Sequence, residues 1–218
     1  MQRHFHDELE ALKQRLLAMG GLVEDQIRRV MRALIERDDA LAQEVIERDQ
    51  QVNAYDVEVD ETCVSLLALH QPAAGDLRFI TTAMKIVTDL ERMGDQAVNI
   101  AQRVLELNRE PQLKPYIDLP RMASSAQRMV KESLDAFVAR DTELARKVCA
   151  EDAAVDALKE QIFRELLTFM MEDARTIPRA IRLILISRFI ERAADHATNV
   201  AEMVIYLVDA KMVRHTLG

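Results

Sequence analysis

ALIERDDALAQEVIERDQQVNAY at residues 33–55 and AFVARDTELARKVCAEDAAVDAL at residues 136–158 align without a gap. Ala136 falls on Ala33, Arg140-Asp141 on Arg37-Asp38, Ala145 on Ala42, Val148 on Val45, Asp152 on Asp49 and Val155 on Val52. Apolar matches at three- and four-residue intervals mark the buried stripe of a helix. A stretch of this length that recurs once says that the chain carries two copies of one supersecondary unit. In the first copy the apolar pattern lapses at Arg37-Asp38-Asp39, and Asp39 has the side chain of an N-cap for the helix that follows.

Working outward, the first copy resolves into three helices. Leu9, Leu12, Leu16, Met19, Val23, Ile27, Val30 and Leu34 form one stripe. The Gly20-Gly21 pair inside it lowers helix propensity without ending the helix. Val45, Val52, Tyr55, Val59, Leu66 and Leu69 form a second stripe, which Gln71-Pro72 stops. Gly75-Asp76 starts a third, with Ile80, Ile86, Leu90, Met93, Ala97, Ile100 and Val104. Pro111, Pro115 and Pro120 then make the densest break in the chain, which reads as a linker. After it the plan repeats, with Thr176 as N-cap of the last helix and Pro178 in its first turn. The expected fold is all-α: two tandem three-helix bundles, residues 1–108 and 121–218, joined by a linker at 109–120.

Composition agrees. Gly and Pro number 5 each and Trp is absent, which leaves little material for strands or tight turns. The net charge of -8, with no basic run, argues against nucleic acid and for cations or basic protein surfaces as partners. No long uncharged apolar run is present to insert into a membrane, and the charged N-terminus has no apolar stretch of the signal-peptide kind. Cys63 and Cys149 lack CxxC spacing and read as small core or flank residues.

The third helix of each copy carries the sharpest polar signal. DLERMGDQAVNIAQ from Asp89 and FIERAADHATNVAE from Phe189 share Glu-Arg-x-x-Asp-x-Ala-x-Asn. At about 100° per residue, positions four apart lie on one face. Glu91, Asp95 and Asn99 therefore form one stripe and Glu191, Asp195 and Asn199 its duplicate, each roughly opposite the apolar stripe of its own helix. Like charges at this spacing cost a few tenths of a kcal/mol on a bare helix, so a nearby cation is expected. One source is local: Arg92, Arg188 and Arg192 each stand three residues before a motif acid. The other is a metal ion, divalent or of the iron type, held by Glu91, Asp95, Glu191 and Asp195, with Asn99 and Asn199 as extensions. Asp56 and Asp60 read as solvated, their counterparts being Lys159 and Phe163, and His196 reads as a solvated flank residue. His4, His6 and His215 fall in the terminal segments. No Gly-rich phosphate loop, HExxH, GxSxG or Glu-x-x-His pair occurs, so catalysis is not expected.

QPAAGDLR at 71–78, DLERMGDQAVNIA at 89–101 and ERAADHATNVAE at 191–202 resemble the signatures of the PhoU family. The resemblance extends over nearly the whole chain, including the two-copy plan. It implies a cytoplasmic regulator, peripheral to the inner membrane through its partners. These would be the ATPase subunit of the phosphate ABC transporter and a membrane sensor histidine kinase. The role implied is negative control of the phosphate-starvation response and of phosphate uptake. The resemblance also implies a homodimer, and metal on the acidic faces, which here are Glu91 with Asp95 and Glu191 with Asp195. The competing expectation is a metal-binding or metal-storage bundle with no signalling role.

Overall fold

Helix-forming stretches separated by short polar breaks fold into six long helices: α1 (Gln2–Glu36), α2 (Asp39–His70), α3 (Ala74–Leu107), α4 (Asp118–Ala139), α5 (Thr142–Glu172) and α6 (Ile177–Asp209). The structure is a computed structural model that describes residues 2–209, with Gln2 and Arg3 as backbone only; His215 lies outside the described residues. α1, α2 and α3 pack on one another, as do α4, α5 and α6, which gives the two three-helix bundles.

The bundles are joined along α3 and α6 and again along α1 and α4. One core runs through both. Its largest fully buried side chains, Phe79 of α3 and Phe137 of α4, stack across the junction with ring centroids 5.0 Å apart. α1 meets α4 closely at Gly20, where a Cβ would overlap Leu134 Cδ1, whereas nothing stands near Gly21. The glycine pair thus has one member that admits the neighbouring bundle and one that faces open space.

α2 and α5 lie outside, each against its own bundle only. Their burial follows a narrow seven-residue seam: Val45, Val52, Val59 and Leu66 in α2, and Val148, Val155 and Ile162 in α5. This seam explains why Leu69, expected in the core stripe, is 71% exposed.

Three local expectations are corrected. The N-cap of α2 is Asp38, whose side chain accepts from Leu41 N at 3.0 Å, not Asp39. Thr176 does not cap α6; its hydroxyl donates to the carbonyls of Phe169 and Asp173 and secures the end of α5 instead. α4 begins at Asp118, so Pro120 belongs to its first turn rather than to the connection. The turn itself is duplicated: Arg37 and Arg140 adopt φ 57° and 54°, and Asp38 and Asp141 cap the next helix. The left-handed conformation costs a non-glycine residue roughly 1–2 kcal/mol. Arg37 recovers part of that by donating to the carbonyls of Asn108 and Glu110 at 2.7 and 2.6 Å, tying the connection to the first turn.

Two contrasts follow, both read by thermal melts. Gly21→Ala is expected to stabilise by up to ~1 kcal/mol, while Gly20→Ala destabilises by about 1–3 kcal/mol because the buried Leu134 side chain must shift within the core; equal effects would refute the close α1–α4 approach. Arg140→Gly is expected to gain up to ~1 kcal/mol from relieved backbone strain. Arg37→Gly, which also loses two hydrogen bonds, gains nothing or loses.

Candidate functional site

α3 has three sides. One buries Ile86, Leu90, Met93, Ala97, Ile100 and Val104 in its own bundle. A second, against α6, buries the polar Asp89 (7% exposed) and Gln96 (8%). The third carries the acidic stripe. Glu91 and Asn99 are half-buried there and Asp95 exposed; on α6 Glu191 is half-buried, with Asp195 and Asn199 exposed. The stripes do face away from the core, but not into open solvent, because α2 and α5 run alongside and add carboxylates of their own.

In the first copy burial raises the pKa of Glu91, and Asp95, Asp56 and Asp49 push it further the same way. Burial likewise raises Asp49, with Asp95 adding to the effect and a hydrogen bond from Gln26 opposing it. Asp56 is raised by burial and by Asp60, so it belongs to this crowd of acids rather than to free solvent. Among the described residues no Lys, Arg or His nitrogen comes within salt-bridge distance of Asp49, Asp56, Glu91 or Asp95.

The second copy differs. Lys159 Nζ donates to Asp156 Oδ1 and Glu191 Oε1, both at 2.7 Å. These bonds hold its ammonium charged beyond the ordinary lysine range. Asp195, although it reaches solvent, is pushed up to about 6, first by desolvation and then by Glu191, Asp152 and Asp156, with Lys159 opposing. Of the local arginines, Arg92, Arg188 and Arg192 form no salt bridge with a motif acid among the described residues, although Arg92 opposes the rise of the Glu91 pKa. Arg92 and Arg192 line a cleft of about 600 Å³ at the α3–α6 junction together with Asp152, Asp195, His196 and Asn199.

His196 is also corrected. It is not a solvated flank residue: its Nδ1 lies 2.8 Å from Asp89 Oδ1 across the α3–α6 junction, with the His side chain 17% exposed. Asn199 donates weakly to the same oxygen at 3.4 Å, which turns it toward the junction rather than along the acidic stripe. The sequence offered one signal for this pair, an acid and a His at the edges of two duplicated helices, but nothing to say that those edges meet. Both cysteines are free and withdrawn from reactivity: burial, with neighbouring carboxylates, pushes Cys63 up to about 12 and Cys149 up to about 11.

As they stand, no three His, Cys, Asp or Glu side chains among the described residues converge closely enough to hold a metal ion. Each face is an array of neighbouring carboxylates along two helices.

The PhoU domain matches this chain twice, at residues 16–104 and 119–204. The chain belongs to the PhoU family. A Pseudomonas aeruginosa relative called phosphate-specific transport system accessory protein PhoU homolog is 46% identical over 216 residues, 99% of this chain and 89% of that protein. The crystal structure of PhoU from Pseudomonas aeruginosa superposes with a TM-score of 0.91 at 46% identity, covering 95% of this chain and 100% of that one. That of the phosphate transport system regulatory protein PhoU from Streptococcus pneumoniae gives 0.90 at 32% identity, covering 96% and 99%. The six helices and the two-copy plan described above are thus those of the PhoU fold. The names its relatives carry are those of a transport accessory protein, not of an enzyme.

The raised Asp195 pKa has a sign that can be checked. A carboxyl held at about 6 when folded, against an ordinary 3.8, binds its proton more tightly in the native chain. It therefore favours folding below pH about 4, and that contribution is lost as pH rises through about 6. Asp195→Asn, in chelator-containing buffer, is expected to raise the melting temperature by roughly 2 °C at pH 8, water screening keeping the gain small. At pH 4 the variant and the parent melt together; an equal shift at both values would show that charge is not the cause.

Proposed function

We propose that this chain is a phosphate-transport accessory protein that acts as a negative regulator of the phosphate-starvation response, an adaptor between the ATPase subunit of the phosphate ABC transporter and a membrane sensor histidine kinase. The transport link is supported by the names of its relatives. The adaptor role is supported by one observation above all: a single continuous core presents two carboxylate faces, on opposite repeats of a chain whose net charge is -8. Such a surface suits docking to basic partner surfaces, and docking that favours one state of each partner shifts both toward inactivity. No helix among the described residues is long and apolar enough to cross a membrane, so contact with a membrane kinase would come through its cytoplasmic part. A homodimer would present these faces twice over.

The first face is further proposed to take a divalent cation. Its donor chemistry suits one: Glu91, Asp95, Asp49 and Asp56 supply hard oxygens, crowd one another and form no salt bridge among the described residues, and they would draw closer together to share an ion. A storage role is less well supported, since the faces are open stripes rather than an enclosed cluster.

The test is a Glu91→Ala/Asp95→Ala variant in cells carrying a phosphate-starvation reporter, with the purified protein analysed for metal beside it. Loss of repression in phosphate-rich medium, with a melting temperature in chelator no lower than the parent's, is the expected result. Intact repression would remove the face from the mechanism. Copurification of the parent chain with the transporter ATPase, weakened in the variant, would tie the face to that partner.

A further inference from the structure

The two acidic faces descend from one motif but have diverged at several positions that govern cation chemistry, among them Asn53 in α2, whose Nδ2 donates to Asp49 Oδ2 at 3.2 Å where α5 has the acid Asp156. Asp56 in α2 corresponds to Lys159 in α5, Gln26 in α1 to Met129 in α4, and Gly94 in α3 to Ala194 in α6. In the first copy Gln26 is only 4% exposed. Its Nε2 donates to Asp49 Oδ1 at 3.3 Å, and its Oε1, buried beside that carboxylate, has no partner. Gly94 lets the α3 backbone come close to both: a Cβ there would stand 3.1 Å from Asp49 Oδ1 and 3.3 Å from Gln26 Oε1. An acceptor oxygen without a donor therefore lies buried at the edge of four carboxylates without a cation. Buried acceptors are normally satisfied, and this set is short of positive charge.

In the second copy the residues that stand in place of Gln26, Gly94 and Asp56 differ in kind. Met129 is fully buried and brings no oxygen, and Ala194 fills the space that Gly94 leaves open. Lys159 sits between Asp156 and Glu191 at 2.7 Å from each. An ammonium on the same chain competes with free ions at an effective concentration on the order of millimolar or more. A divalent ion entering there would have to expel it or bind beside a like charge.

We propose that the duplicated faces have become one cation site and one closed copy: the first, through Glu91, Asp95, Asp49 and Asp56, takes a hard divalent cation, while the Lys159 ammonium occupies the second and shuts it to metal. The proposal rests on the reading of the first face as a cation site, and the test separates the two.

Full-length protein stripped with chelator is titrated with Mn²⁺, free ion being read by electron paramagnetic resonance and folding by circular dichroism. The parent chain is expected to bind Mn²⁺ at the first face only, with loss in Glu91→Gln/Asp95→Asn. Asp56→Lys, which imports the second copy's arrangement, weakens that binding at least tenfold. Lys159→Met adds a second Mn²⁺ that disappears when Glu191→Gln/Asp195→Asn is added. Unchanged stoichiometry in a folded Lys159→Met protein overturns the closure, as does loss of Mn²⁺ from the parent chain on Glu191→Gln/Asp195→Asn alone. A parent chain that binds nothing while Lys159→Met gains an ion overturns the reading of the first face and leaves the closure standing. No Mn²⁺ on either protein overturns both.

Discussion

The packing of α3 against α6 constrains everything else. A helix that gives one side to its own bundle and a second to the opposite bundle has a single side left, and in both copies that side carries the acidic motif. The junction also dictates its own polar chemistry. Asp89 is 7% exposed, and a carboxylate so placed needs donors; His196 and Asn199, from the facing helix, supply them. The same junction fixes the outer helices. α2 and α5 pack along the length of α3 and α6 on the side that remains, and the residues beside their buried seam, Asp49 and Asp56 in α2 and Asp152 and Lys159 in α5, are set beside the motif acids.

The connection between copies is fastened rather than slack. Arg37 reaches it from the first turn, and Arg182 from α6 pairs with Glu106 and Glu110 at 2.9 and 2.8 Å. Arg179 donates to the Pro111 carbonyl at 3.0 Å. Among the described residues Arg140, the repeat counterpart of Arg37, makes no such bond. The duplicated turn has kept its backbone conformation in both places.

Helix content, the two-copy plan and the motif stripes were legible because each is a periodic property of a single helix. Val45, Val52 and Val59 announce a buried seam whatever they pack against, and Glu91 and Asp95 share a face by geometry alone. What was not legible depends on which helix sits beside which. A wheel drawn for one helix against one core leaves Asp89, Gln96 and His196 at ambiguous edges; only the second packed side turns them into buried groups. The local arginines illustrate the same limit. Sequence proximity favoured Arg92 and Arg192 as direct partners of the motif acids, yet the cation bonded to Glu191 is Lys159, 32 residues away in sequence. The Asp38–Asp39 displacement is of a different kind: adjacent residues of one type compete for a cap, and backbone geometry chooses.

A folded protein can relieve a crowd of carboxylates by a tethered ammonium or by an ion from solution, and the two remedies differ in what they make possible. A lysine such as Lys159 is always present, so the surface it completes has one charge state and one shape. An ion enters by mass action and stabilises the form that binds it in proportion to its concentration, so the surface it completes is conditional. On the proposed reading, one repeat carries a permanent face and the other a conditional one, on a single core that couples them mechanically. An adaptor with two permanent faces would hold its partners at all times. An adaptor with two conditional faces would release both together. One of each allows a partner to be retained while contact with the other is adjusted, because any difference in affinity between the ion-loaded and ion-free forms is, by linkage, a difference in how strongly the partner favours the ion.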